Sequence, residues 1–455
     1  MLSVQFNGGM ADDHRDYRAI ADTLAARIAA GELLPGDRLP PQRRFAREHR
    51  VAGSTAARVY AELIRRGLAV GEVGRGTFVR AAGASADPAL AEPAGARIDL
   101  ELNFSVLPEQ PELLAPALGG MLRHDALAAA LRPMGVAGTP AAREAAAAAL
   151  ARGGWAPDAR HLLFAGSGRQ AIAAAVAALV PPGERLGVEA LTYPIVKGVA
   201  TRLGITLVPL ATDEHGLVPG AVRAAPPLRA LYLQPALHNP LGVTAPEHRR
   251  LDLARLLYDH DLHAIEDGIY AFLRDDLPPL AAAAPDRVVV VDSLSKRVAP
   301  GLSVGFVMPP AALAGPLASA LRSGGWAASP FALDAATRWM SEGVTARLEA
   351  AKRLDAAARQ RIAAERLAGF EVSADPHAYH CWWRLPEPWR ADTFVAAAAR
   401  QGIAVTPGAA FAAGSGHAPN AVRLALAAPA VPTLVSALDT LAALARSAPE
   451  DAVVE

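Results

Sequence analysis

A lysine that adds to an aldehyde must first lose its proton, and DSLSKRVAPGLSVGF, residues 292 to 306, holds the candidate. Lys197, Lys296 and Lys352 are the only lysines in a chain that otherwise carries its positive charge on arginine. Lys296 follows the apolar run VVVVDS, with the small Ser295 just before it. A lysine in such a partly apolar site has its pKa lowered and becomes an amine nucleophile.

Other polar residues occur where apolar runs end. GSGRQ, residues 166 to 170, lies between LLFA and a helical stretch, so its N–H groups and Ser167 could hold a phosphate at the helix N-terminus. Taken alone, a glycine turn before a helix is more often only a turn. QPALHNPLG ends a run with Asn239 just before an enforced loop, which on its own reads as a turn into a helix. In EDGIY, Asp267 closes HAIE, and a carboxylate leaving a buried strand needs a partner; a salt bridge is the plain reading. Lysine, Asp267, Asn239 and Tyr270 together are the parts a pyridoxal ring needs. The lysine takes the aldehyde, the carboxylate keeps the ring nitrogen protonated, and Asn with Tyr hydrogen-bonds the ring hydroxyl.

The elements that would position these groups alternate. LLFAG, RLGVEA, TLVPL, ALYLQP, HAIED and VVVVDS read as strands separated by helices, which predicts a buried, mainly parallel sheet with ligands at the strand C-terminal ends. Residues from roughly 370 to 430 carry shorter strands, HCWWRL and AVRLALA, around a helix and predict a smaller α+β lobe. Residues 81–97 are dense in Ala, Gly and Pro and read as a linker. Ahead of it, Ile20, Leu24 and Ile28 share a helical face, QRRFAREHR gives a second helix, and Ser54 is marked as the N-cap of a third. GLAVGEVGRGTFV then alternates around a glycine-rich turn. That order is a winged helix-turn-helix.

The 455 residues are 52% hydrophobic and 20% charged with a formal net charge of zero, an ordinary globular composition that excludes a uniformly basic coat. The charge is local. Arg43, Arg44, Arg47, Arg50, Arg58, Arg65, Arg66 and Arg75 dominate the first 80 residues. One cysteine, Cys381, no basic-then-apolar leader and no apolar run near 20 residues predict a cytoplasmic protein with no membrane insertion. No metal ligand set is read.

From about residue 98 to 440 the chain resembles a fold type I aminotransferase, through GSGRQAI, TYP, HNPLG, EDGIY, SLSK and VRLALA in that family's order. The resemblance implies pyridoxal 5′-phosphate as cofactor, bound covalently by Lys296, with Asp267 on the pyridine nitrogen and Asn239 and Tyr270 on the ring hydroxyl. It also implies that Tyr193 stacks on the ring, that Ser167, Gly168 and Ser293 lie near the phosphate, and that Arg423 forks onto an α-carboxylate. Two departures stand out. Ser303 occupies the place where the family commonly has a phosphate-gripping arginine, and LRPMGVAG lacks the family's tyrosine. Arg169 or Arg297 is expected to supply the missing charge.

Residues 12–80 resemble the GntR-type winged helix through GELLPGDRLPPQRRFA, STAARVYAELIRRGL and GRGTFV. The resemblance implies DNA contacts by Arg43 and Arg58, Ser54 and Thr55 at the recognition helix N-terminus, and Arg75 with Gly76 in the minor groove. Gly53 stands where the family often has arginine. A winged helix (12–80), a linker (81–97) and an aminotransferase-like body (98–455, small lobe about 345–455) together resemble MocR-type regulators. This implies a homodimer that binds paired operator half-sites and senses an amino acid, an amine or the cofactor. The alternative is a working amino-acid aminotransferase with an accessory DNA-binding module.

Overall fold

The computed structural model describes residues 17–29, 32–33, 36–65, 68–72, 76–79, 97–414 and 418–449. Arg75, and the expected linker apart from Arg97, lie outside these residues. The chain divides into two compact units, Met1–Ala86 and Asp87–Glu455.

In the first unit α1 (Tyr17–Ala29), α2 (Gln42–His49) and α3 (Gly53–Arg65) precede a hairpin of β1 (Ala69–Glu72) and β2 (Gly76–Val79). Leu24, Phe45, Val59, Tyr60, Leu63 and Val79 meet in one core. The segment before α2 joins the wing: Leu39 N donates to the Thr77 carbonyl and Val79 N to the Asp37 carbonyl, both at 2.8 Å. Arg50 ends α2 in the left-handed conformation, φ 52°, which makes the turn into α3. That helix begins at Gly53, one residue ahead of Ser54, so Ser54 lies in its first turn rather than capping it.

The second unit holds two main sheets. Its first strand, β3 (Ile98–Leu100), belongs to the smaller one. The larger consists of β4 (Leu163–Ala165), β5 (Arg185–Glu189), β6 (Thr206–Leu210), β9 (Ala230–Leu233), β10 (His263–Asp267), β11 (Val288–Ser293) and β12 (Gly305–Met308), while β7 (Thr212–Asp213) and β8 (Gly216–Leu217) form a separate hairpin. The order is β4-β12-β11-β10-β9-β5-β6. Neighbours from β6 to β11 pair in parallel, and β12 runs antiparallel to both β11 and β4. Alternate residues feed opposite cores: Leu231, Leu233, Val288 and Val290 on one face, Tyr232, Ile265, Val289 and Val291 on the other. Burial on both faces explains the unbroken apolar runs of the sequence.

Reversal at β12 leaves β4 pointing the same way as β11. The C-terminal ends of β4, β5, β9, β10 and β11 therefore share one edge of the sheet. The smaller sheet adds β13 (Glu371–Ser373), β14 (His380–Arg384), β15 (Ile403–Pro407) and β16 (Ala421–Ala425) in the order β13-β14-β16-β15-β3. Trp383, Trp389, Phe394, Leu424 and Leu438 fill its core. The residues just after the linker thus pair with the C-terminal lobe, β3 lying parallel to β15.

Backbone approach is tightest where β12 meets the edge. A Cβ on Gly305 would fall 2.3 Å from the Ser167 carbonyl oxygen and 2.6 Å from its carbon. Because those are main-chain atoms, Gly305→Ala is expected to cost about 1–3 kcal/mol of stability by overpacking. Urea unfolding of the full chain checks this.

Candidate functional site

Lys296 lies in the short helix Leu294–Arg297 that follows β11. Its Nζ donates to the Asn103 carbonyl at 2.6 Å and sits 3.4 Å from the centroid of the Phe104 ring. Burial pushes its pKa well below the ordinary lysine value, and the positive charges of Arg423, Arg169 and Lys352 push the same way against Asp267. The amine is thereby prepared to react.

Asp267, the last residue of β10, is buried. Its Oδ2 accepts from the Tyr232 hydroxyl at 2.6 Å and from Gln234 Nε2 at 2.9 Å, and its Oδ1 accepts from Ile269 N at 3.1 Å. Burial lifts its pKa to about 6 although these donors favour the carboxylate. Tyr270 follows it, its hydroxyl accepting from Asn103 Nδ2 at 3.2 Å. The same hydroxyl is pushed up to about 12 by burial.

Arg423 arrives from the small lobe on β16, where it pairs with Trp382 and Thr406 across the sheet. It donates to Asn239 Oδ1 at 3.3 Å, to Thr406 Oγ1 at 3.0 Å and to the Glu101 carbonyl. Its Nε is buried without a hydrogen-bond partner among the described residues. A buried guanidinium with a spare donor is prepared for a carboxylate. Asn239 takes its place through a hydrogen bond from its own N–H to Gln234 Oε1 at 3.2 Å. Tyr193 lies half-buried ahead of the helix Pro194–Leu203, and its hydroxyl accepts from the exposed Arg169 side chain.

At the β4 end, Ser167 caps the helix Gly168–Leu179 by accepting from Gln170 N at 3.3 Å. Gly168 presses on the next strand's end: a Cβ there would lie 2.9 Å from Ser293 Oγ. Ser293 Oγ and Ser295 Oγ are 2.7 Å apart. Ser303 precedes β12 with its hydroxyl buried and unpartnered among the described residues. Ser167, Gly168 and Ser293 thus come together, and a side chain at Gly168 would have to displace the Ser293 hydroxyl.

Arg297 does not join them. Its guanidinium donates to Asp292 Oδ2 at 2.7 Å and to Glu349 Oε1 at 2.5 Å, the whole group buried. Burial would lower its pKa, but the two carboxylates outweigh that and raise it. The expectation that Arg297 supplies phosphate charge is therefore corrected: its charge is spent within the protein. Reasoning from sequence also missed Asn103, Phe104, Tyr232, Gln234, Thr406 and Lys352. Of these, Gln234 ends an apolar run like Asp267 does, and Lys352 was conspicuous by rarity.

In the first unit Arg43, Ser54 and Arg58 are exposed and Thr55 is half-buried. Ser54 and Arg58 lie on the face of α3 away from the buried Tyr60 and Leu63, whereas Thr55, one turn before Val59, sits at the edge of that face. Gly76 begins β2 with φ +124°, beside the Arg38 guanidinium.

Residues 130–441 match the family described as aminotransferase class I and II, and residues 16–79 match bacterial regulatory proteins of the gntR family. Fold and site thus define a winged-helix module fused to a body of a pyridoxal-phosphate-dependent fold family. An uncharacterized HTH-type transcriptional regulator, YdeF of Bacillus subtilis (strain 168), is 32% identical over 91% of this chain and 90% of its own length. The vitamin B6 salvage pathway transcriptional repressor PtsJ of Salmonella typhimurium is 26% identical over 88% of this chain and 92% of its own. An archaeal alanine:glyoxylate aminotransferase shares the fold at TM-score 0.71 and 21% identity, covering 78% of this chain and 91% of that one. This chain belongs to the MocR-type family of HTH transcriptional regulators with an aminotransferase-like domain. Among the described residues no helix is long and apolar enough to cross a membrane.

The buried triad makes a prediction about stability. Arg297→Met leaves Asp292 and Glu349 buried without their counter-charge and is expected to cost about 3–5 kcal/mol. Replacing all three by apolar residues of similar size recovers most of that loss, as read by urea unfolding.

Proposed function

We propose that this regulator binds pyridoxal 5′-phosphate at Lys296, senses an amino acid, an amine or the cofactor itself there, and binds operator DNA as a homodimer. The observation that carries the reading is the convergence of a deprotonation-prone Lys296, a buried Asp267 and a carboxylate-ready Arg423 in a chain that also carries a winged helix.

The donor set fits the group. When bound, pyridoxal phosphate supplies an aldehyde and an electron-withdrawing ring. Lys296 offers the amine, held at the Asn103 carbonyl until it is used. Asp267 offers a carboxylate to the ring nitrogen, oriented by Tyr232 and the Ile269 N–H. Asn239 and Tyr270 face the ring hydroxyl in this reading, with Tyr193 on the ring face. Ser167, Gly168 and Ser293 receive the phosphate, with Arg169 as the available guanidinium. Arg423 takes the carboxylate of an amino-acid effector.

On the DNA side, Arg43 and Arg58 meet phosphates or bases, Ser54 and Thr55 meet the backbone, and the Gly76 wing enters the minor groove with Arg75. Two such modules on a dimer read paired half-sites. An effector that favours one arrangement of the dimer shifts DNA affinity by its differential binding, typically about 1–3 kcal/mol. This linkage is the regulatory act.

Adding pyridoxal phosphate to the purified chain is expected to produce violet absorbance that Lys296→Ala abolishes, and to change the affinity for DNA upstream of its own gene. Steady turnover of amino acids at roughly 1–1000 per second, with no footprint on that DNA, would overturn the proposal. Arg58→Ala is expected to weaken DNA binding and reduce the slope of log affinity against log salt by about 1.

The pH dependence has a definite sign. Asp267 carries a proton below about 6 and then offers no charge to a protonated ring nitrogen. Affinity for pyridoxal phosphate should therefore fall as pH drops through 6, and Asp267→Asn should weaken that dependence, leaving the part that protonation of Lys296 contributes. Absorbance titrations between about pH 5 and 8 measure both.

A further inference from the structure

Lys352 is fully buried on the helix Val344–Arg366 and takes no part in the reading above. Its Nζ donates to the Lys296 carbonyl at 2.9 Å and to the Val298 carbonyl at 2.7 Å. Those oxygens belong to the turn that carries Lys296, whose helix of four residues is too short to supply donors to its own last carbonyls. Val298 already has a neutral donor, Gln110 Nε2 at 2.9 Å. A glutamine or asparagine could satisfy the remaining carbonyl without burying an ammonium, which is costly. What only lysine or arginine adds there is positive charge.

We infer that Lys352 is a positioning residue for Lys296, pinning the turn that aims the Lys296 amine and adding a cation behind that turn. The two hydrogen bonds from Lys352 carry the pinning, and its charge acts from the same anchored position. Glu349, one turn earlier on the same helix, holds the neighbouring Arg297, so the helix grips consecutive residues of one turn at two points. The charges facing Lys296 are Arg423 from the small lobe, Arg169 from the helix after β4, Lys352 from behind the turn and Asp267 from β10, with the Tyr270 ring 5.6 Å away. Those facing Lys352 are Glu349 and Asp355 on its own helix, and the Tyr379 hydroxyl oxygen lies 2.9 Å from its carbonyl. Burial lowers the Lys352 pKa to about 8, so it is charged at neutral pH. A cation beside Lys296 disfavours a second proton there and so favours the reactive amine.

The test needs no cofactor, so it stands or fails apart from the proposed pyridoxal phosphate binding on which its functional meaning rests. With three lysines in the chain, reductive methylation of Lys296 by formaldehyde and cyanoborohydride can be followed by peptide mass spectrometry across pH. In the full wild-type chain, the labelling midpoint of Lys296 should lie well below the ~10.4 of a free lysine. Lys352→Met and Lys352→Gln should both raise it by about one pH unit, slowing Lys296 labelling at neutral pH about tenfold. Lys352→Gln keeps donors for the turn, so its melting temperature should stay closer to wild type than that of Lys352→Met. Lys352→Arg should restore the midpoint. A wild-type midpoint in the free-lysine range overturns the inference without any variant. So does a Gln variant that melts earlier with its Lys296 midpoint unmoved, since Lys352 would then be a structural donor only.

Discussion

An ammonium has no lone pair to offer a carbonyl, and taking Lys296 out of water is what frees that pair. Desolvation acts first, and the neighbouring cations Arg423, Arg169 and Lys352 add to it against Asp267. Much of the body can be understood as the arrangement this needs. A parallel sheet buried on both faces delivers the end of β11 into an apolar interior, β12 seals its flank, and Phe104 and Tyr270 replace water around the amine. Burial of one sign of charge must be balanced nearby. Asp267 and the closed triad of Arg297, Asp292 and Glu349 keep carboxylates in the same neighbourhood.

The helix Val344–Arg366 ties this turn to the small lobe. Its first half grips Arg297 and the Lys296 and Val298 carbonyls. Its second half reaches the other sheet: Arg359 donates to the Leu426 and Pro429 carbonyls, and Gln360 donates to those of Ala378 and His380. Asp355, between the halves, accepts from Tyr379 and Ser105. The strand bearing Arg423 and the turn bearing Lys296 are therefore fastened to one rigid rod. A ligand that engages Arg423 acts on an element joined by hydrogen bonds to the lysine's own turn, a contiguous path that can carry coupling between them.

Legibility in the sequence followed locality. Strands buried on both faces leave unbroken apolar runs, and a polar residue that ends such a run advertises the sheet edge; Asp267, Asn239 and Lys296 were readable for that reason. β12 was not separable, because direction leaves no local mark on a four-residue strand. β3 is three residues long and pairs with residues some 300 positions away. Arg297 was misjudged because its partner Glu349 sits 52 residues later, on a helix whose buried face mixes Leu348 and Ala356 with Glu349, Lys352 and Arg359. Asn103 acts on Lys296 through a backbone carbonyl, which any residue possesses, so its type carried no signal.

The phosphate end of the proposed site differs in kind from the ring end. Around the ring the polar groups are buried and hydrogen-bonded, so their interactions are strengthened by low dielectric and little affected by salt. At the other end Ser167 and Ser293 are neutral, Ser303 contributes an unpartnered hydroxyl, and Arg297 is closed in its triad. In the proposed reading, charge neutralisation of a phosphate there falls, among the described residues, to Arg169, which is exposed and hydrogen-bonded to Tyr193. An exposed guanidinium is screened and contributes little beside a buried fork. In that reading, specificity for the ring and grip on the phosphate are decoupled: the first resides in a rigid interior, while the second depends on ionic conditions at the surface. For an enzyme that must retain its cofactor through every turnover this is a weakness. For a regulator, a reversible hold makes occupancy track concentration, and occupancy is the quantity that linkage converts into DNA affinity.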